Sequence, residues 1–192
     1  MFESGFQILT QNGYTPIGLD HFAKKNDELS TAYKNRTLHR NFQGYCTRET
    51  TGQVYAFGAT GISQLEAVYA QNGKDADAYI ESVGNGHFNI IKGYRLNRAE
   101  RIIRQVITEI MCNEYISFEE TARFFGITEE QVKETLEFDA SHFGTFEEDG
   151  LLRIESEGVF QVTANGKFFI RTIASHFDPN LKKQQKRFSK AL

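Results

Sequence analysis

The sequence predicts an α+β chain in two parts: the closing helix–strand unit of an α/β domain, then a mainly helical domain with a two-stranded wing. Three observations predict it. The chain opens on an amphipathic helix, "MFESGFQILTQNG", followed by an apolar strand, "YTPIGLDHFA". A glycine-spaced segment, "VGNGHFN", then separates two regions of different periodicity. Beyond it, "NRAERIIRQVITEIMCNEY" keeps a sustained helical period, and two short helices and two β-type runs follow. Residues 1–92 are therefore expected to form the end of the α/β part with its connecting segment, and 93–192 the helical domain with a basic tail.

In chain order, Phe2, Phe6 and Leu9 share one helix face, and Gly13 supplies a stop. The strand over "YTPIGLDHFA" carries Pro16 near its start, where a lost N–H is tolerated. "NDELSTAYKN" reads as a short helix capped by Asn26. Residues 38–72 hold no helical period, and Gly58 and Gly61 in "VYAFGATGIS" imply close approach of backbone. A short helix is expected near 74–83. From Asn97, a cap, the residues Ile102, Ile103, Val106, Ile107 and Ile110 recur at helical spacing. Ser117 and Glu120 form a capping box for "SFEETARFF", and Thr128 starts a third helix over "TEEQVKETLEFDASHF". "LLRIE" and "VFQVT" make a hairpin through Ser156–Gly158, and "ANGKFFIRTIASHF" a last helix that stops before Pro179. Three helices and a two-stranded wing make a winged-helix-like arrangement.

Composition narrows the function classes. Hydrophobic residues make up 40% of the 192 and charged residues 24%, a globular balance, with 17 Phe and no Trp to fill a core. The net charge of −3 draws the chain to neither nucleic acid nor an anionic membrane. No run of 18 apolar residues and no leader is present, so a cytoplasmic chain is expected. Cys46 and Cys112 stand far apart without metal-ligand spacing, so no metal site is expected and both thiols read as reduced. The third helix and its sequel, 128–149, carry eight acidic side chains against Lys133 alone, which phosphate would repel. The winged-helix part therefore reads as a packing module and not as a reader of DNA.

Few residues suggest chemistry. Asp20 and His21 stand at a strand's end, where α/β domains place ligands, although a hydrogen-bonded structural pair explains the spacing as well. Cys46 lacks a neighbouring base and reads as a bystander; Cys112, on a periodic helix, reads as packing. The stretch "LHRNFQGYCTRET", 38–50, is harder to explain away. Gln43 between Phe42 and Tyr45 offers an amide beside stacking surfaces, which suits either a planar ligand or a connector that plugs two apolar faces.

Taken together, "GYTPIGLDHFAKKNDEL", "LHRNFQGYCT", "YAQN" and "VTANGKFFIRTI" resemble the C-terminal part of the oxygen-independent coproporphyrinogen III oxidases, radical S-adenosylmethionine enzymes of haem biosynthesis. The resemblance runs from about residue 5 to the C-terminus. It implies a chain that begins in the last unit of a partial (β/α) barrel and continues into the family's helical domain. It implies, in the complete enzyme, S-adenosylmethionine and a four-iron–four-sulfur cluster held by three clustered cysteines of the barrel, which this sequence lacks. It implies coproporphyrinogen III as substrate, two of whose propionates become vinyl groups, with the N-terminal barrel half as partner. This chain alone is then expected to be inactive, and to be able to pair with a second copy. Position by position, Phe42 and Gln43 match residues needed for activity, and Ile62 a position that contacts a second S-adenosylmethionine. Arg40, His39, Asp20 and His21 match motif positions, with Arg40 suited to a substrate carboxylate. The sequence departs from the family at Lys25, Cys46 and the run "VYAFGATGIS". A haem-carrying relative has Tyr-Trp where this chain has Gln43–Gly44–Tyr45, and a non-catalytic winged-helix interaction module is the other alternative.

Overall fold

The computed structural model describes residues 2–18, 21–41, 44–48, 53–156 and 158–183. The chain forms two compact units, Met1–Arg101 and Ile102–Leu192.

In the first unit, α1 (Phe2–Gln11) stops before Gly13, whose φ of 84° ends the helix. β1 (Tyr14–Ile17) and β2 (His21–Lys24) then pair antiparallel, with Ile17 opposite His21. The single strand expected over "YTPIGLDHFA" is thus two strands. Gly18 takes φ 69°, a left-handed conformation that reverses the chain where the apolar pattern alone reads as continuous. Every strand pair among the described residues is antiparallel.

α2 (Glu28–Lys34) is capped by Asp27, not Asn26: the Asp27 carboxylate accepts from the Leu29 N–H at 2.9 Å. Fully buried Ser30 donates to the Lys24 carbonyl at 2.7 Å and ties the helix to β2. β3 (Leu38–Asn41) and β4 (Gly44–Thr47) form the next antiparallel pair, so part of the aperiodic stretch is a hairpin. After these, β5 (Ile62–Gln64), β6 (Val68–Asn72) and β7 (Ile90–Arg95) make a three-stranded sheet in that order. α3 (Ala76–Gly84), capped by Asp75, precedes β7. The expected boundary at 92/93 falls inside β7, which is paired along its length to β6. The division between the units lies instead within α4 (Arg98–Asn113), where Asn97 and Glu100 exchange capping hydrogen bonds of 2.9 and 2.8 Å.

In the second unit, β8 (Tyr115–Ser117) follows α4 and adds a third strand to the two expected ones, in the order β8-β10-β9. α5 (Phe118–Phe125) is capped by the Ser117 hydroxyl and closed by Gly126 at φ 62°. The expected third helix breaks into pieces. α6 (Glu129–Thr135) has the Thr128–Gln131 capping box but ends where Glu137 turns to φ 47°. A 3-10 turn, Ala140–Phe143, and α7 (Gly144–Glu148) follow. β9 (Leu152–Ser156) and β10 (Val159–Val162) form the expected hairpin. The last expected helix is likewise a 3-10 turn, Gly166–Phe169, then α8 (Ile170–Ser175) and α9 (Pro179–Lys183). The breaks let Phe118, Phe138, Phe143, Phe160 and Phe177 converge, with Phe143 and Phe177 centroids 4.6 Å apart.

Candidate functional site around Tyr45

Three segments of the first unit meet at Tyr45. The β3–β4 register sets Arg40 opposite Tyr45, and the guanidinium carbon lies over the ring, 5.3 Å from its centroid. That distance is within cation–π range and holds the guanidinium plane without consuming its N–H donors. His21, the first residue of β2, meets the same ring edge-on, centroids 5.1 Å apart at 73°. The Tyr45 hydroxyl end lies against Gly18: a Cβ there would fall 1.9 Å from the oxygen. Gly18 is therefore required twice, by its φ and by the close approach of Tyr45. Arg40 and Tyr45 are half-buried and His21 is exposed, so a cation fixed on a ring faces solvent beside an imidazole. Such a set can receive a carboxylate.

His21 and Arg40, two of the sequence-predicted residues, are brought together. His39 is not with them: it pairs with Cys46, and strand alternation turns both to the other side of the hairpin from Arg40 and Tyr45. There Asn41 Nδ2 donates to Cys46 Sγ at 3.6 Å. Asp20, Phe42 and Gln43 lie outside the described residues. Ile62 sits on β5 opposite Gln71, in a different sheet. Tyr45, the organising residue, reads from sequence only as a stacking surface. The signal that would have promoted it is a glycine that must stand beneath its ring.

A second concave feature lies between α3 and the β5–β6–β7 sheet. It is a cleft of about 620 Å³ lined by Tyr55, Phe57, Leu65, Tyr79, Phe88 and Ile90, among others. Ser63 and Leu65 line it, so Ile62 faces the other side of β5. Among the described residues, no group of three potential ligands is placed to hold a metal, and no helix is long and apolar enough to cross a membrane. Neither cysteine is in a disulfide.

With this geometry in view, the known proteins are informative. Over 187 residues, 96% of this chain, it is 39% identical to the oxygen-independent coproporphyrinogen III oxidase of Synechocystis sp.. It is 35% identical along its whole length to that of Pseudomonas aeruginosa. The chain matches the C-terminal part of oxygen-independent coproporphyrinogen III oxidases. It spans 40 and 41% of the length of these two oxidases, and 56% of one from Thermostichus vulcanus to which it is 38% identical. Among solved structures, the coproporphyrinogen III oxidase of Escherichia coli, described as a radical SAM enzyme, matches 93% of this chain and 40% of its own length. The TM-score is 0.82 and the identity 32%, so the mixed helix and sheet seen here is the oxidase's architecture over that part. No family model matches the chain.

Proposed function

We propose that this chain serves as the C-terminal portion of an oxygen-independent coproporphyrinogen III oxidase, which converts two propionates of coproporphyrinogen III to vinyl groups with loss of carbon dioxide. The observation that carries this reading is the extent of the match, 96 to 100% of the chain against separate oxidases, joined to the shared fold.

The residues at hand do not fit the iron–sulfur cluster. Cys46 and Cys112 belong to different units, Cys112 is 1% exposed, and no third ligand is grouped with either among the described residues. The cluster and its S-adenosylmethionine therefore belong to the rest of the polypeptide, and this chain alone is expected to be inactive. What it contributes is a wall for the substrate. A propionate docks on the Arg40 guanidinium, which the Tyr45 ring presents flat. His21 stands beside the same ring and adds a second donor. Phe42, Gln43 and Ile62 are the positions we assign toward the cofactor, and Asp20 toward the substrate; His39, on the opposite side of the β3–β4 hairpin from Arg40, has no part in this wall. We read the second unit, in which a helix, a strand, three helices and two strands precede the closing helices, as a winged-helix-like packing domain. The acid-rich α6 argues against a nucleic-acid role. The reading places the protein in the cytoplasm.

The test is anaerobic. The longest natural polypeptide that contains this chain is reconstituted with iron and sulfide and assayed for protoporphyrinogen IX. An intact cluster with no product would overturn the reading. Within an active protein, Arg40→Ala is expected to raise KM for coproporphyrinogen roughly 10- to 100-fold, the loss of one charge-assisted contact. An unchanged KM would remove Arg40 from the substrate wall.

A further inference from the structure

Much of the exposed apolar surface of the first unit lies on the cleft, which Tyr55, Phe57, Val83, Phe88 and Ile90 line. Of the twelve large hydrophobic side chains exposed among the described residues, eight lie between Tyr55 and Tyr94. Phe57 and Phe88 are each 90% exposed, and neither α3 nor β7 buries a residue. Scattered single hydrophobics need no account, but a gathered set marks an interaction surface.

The form of that face says what it accepts. Apart from His87, the polar side chains that line the cleft are engaged in hydrogen bonds of their own. The Tyr79 hydroxyl accepts from the Gly58 N–H at 2.9 Å, and Asn72 Nδ2 donates to the Gly58 carbonyl at 2.9 Å. The Ser63 hydroxyl accepts from the Ala56 N–H at 3.0 Å, and Asn89 Oδ1 from the Gly73 N–H at 2.9 Å. What remains is an aromatic and aliphatic wall that recognises apolar groups by shape. Alongside it, β7 is the edge of its sheet, with no second neighbouring strand among the described residues. An open edge offers its main chain to an added strand. Lys92 and Arg95 stand exposed on that edge and favour carboxylates. Finally, more than half the length of the Synechocystis and Pseudomonas oxidases lies outside the region this chain matches.

We propose that this face, the cleft together with the edge of β7, is the seat of polypeptide from that remaining part of the oxidase. An extended segment adds to β7, places apolar side chains against Phe57, Phe88 and Ile90, and sets acidic side chains near Lys92 and Arg95. The identity of the occupant rests on the oxidase reading above.

Amide hydrogen exchange tests it on two proteins as they exist, this chain and the complete Synechocystis oxidase, each normalised to its own β9–β10 region. The expected result is slow exchange at the positions aligned with 55–57 and 88–95 in the complete oxidase, at least ten-fold slower than in this chain at micromolar concentration. Equal exchange in the two would overturn the proposal. So would sedimentation of this chain as a dimer that protects 88–95 and is dispersed by Phe88→Ser, since a second copy would then be the occupant. Exchange needs neither cluster nor substrate. A protected but inactive protein would therefore count against the oxidase activity alone, and an active but unprotected one against this surface alone.

Discussion

The two units are close to equal in length and differ in what they bury. Among the described residues, the first unit has four buried hydrophobic residues, Ile17, Ala23, Ala32 and Leu38, and the second has eighteen. At roughly 1.5–3 kcal/mol for each large side chain, that difference places most of the hydrophobic stabilisation after Ile102. The second unit closes on its phenylalanines. The first is held by caps, hairpins and one glycine–tyrosine contact, and keeps its largest apolar side chains outside. A region that carries a site and a docking face has its apolar and polar groups aimed outward, at the expense of its own core. The second unit, if it is the packing domain proposed above, has no such obligation.

The severest way to break this contrast is through the aromatic cluster. Phe143 is fully buried and meets Phe138, Phe146, Phe160 and Phe177. Phe143→Ala is expected to cost about 3–5 kcal/mol, since a ring-sized cavity cannot collapse among stacked neighbours. Urea unfolding followed by hydrogen exchange is the measurement. Protection should fall across 102–178 and persist over 14–47. Equal losses in both regions would show that the first unit draws its stability from the second.

In the first unit the corresponding lever is Gly18→Ala. The substitution meets a left-handed φ and a methyl position 1.9 Å from the Tyr45 oxygen. The backbone term alone is about 1–2 kcal/mol, and the displaced ring adds to it. Exchange should quicken over 14–24 and 38–47, and Arg40 and His21 should lose their common ring. If the β3–β4 amides kept their protection, Tyr45 would not be the organiser described here.

These two positions show how legibility was divided. Helix starts were read well where a polar cap precedes a periodic run, as at Asn97, Ser117 and Thr128, because that chemistry is local in sequence. The cap of α2, expected at Asn26, is its neighbour Asp27, a choice that only the hydrogen bond to Leu29 decides. Helix ends were read poorly. "TEEQVKETLEFDASHF" keeps a helical look while Glu137 turns to a positive φ that no glycine announces. The strands β3 and β4 were missed because their residues are nearly all half-buried, which leaves no alternation to find. At the site, the motif resemblance pointed to His21 and Arg40, but their meeting depends on Tyr45 and Gly18, three segments that only folding brings together. Spacing along one chain carries no such signal.

A smaller effect is expected at the second unit's one partly buried ion pair among those described near its sheet. Lys167 Nζ lies 3.0 Å from the Glu114 carboxylate, with side-chain exposures of 30 and 10%. Fully buried pairs cost about 3–5 kcal/mol when one partner is removed, and the partial exposure of Lys167 reduces this to about 1–2 kcal/mol for Lys167→Met. Lys167→Arg should restore most of it. Chemical denaturation midpoints of the three proteins decide the matter, and no difference between wild type and Lys167→Met would mean that aromatic packing alone fixes the 3-10 turn.

The smallest effect belongs to the exposed surface of the first unit, where Tyr94 of β7 donates its hydroxyl to the Glu100 carboxylate at the start of α4. That hydrogen bond, helped by the Asn97 N–H, holds the Glu100 carboxyl below its ordinary range; the same bond, with desolvation and the carboxylate's charge, lifts Tyr94 above its own. The signs follow from linkage. A lowered folded value for Glu100 gives stability that is present above the usual carboxylate pKa and lost as pH falls through the lowered value. A raised value for Tyr94 gives stability that is present below the usual tyrosine pKa and lost as pH rises through the raised one. Tyr94 is exposed and Glu100 only partly covered, so added salt and water weaken the coupling and the change in global stability should be slight. A local probe is needed. The Glu100 carboxyl carbon, followed by NMR, should titrate at higher pH in Tyr94→Phe than in the parent protein. If the two curves coincide, β7 is tied to α4 only through its backbone, and its edge is freer for an added strand than the hydrogen bond suggests.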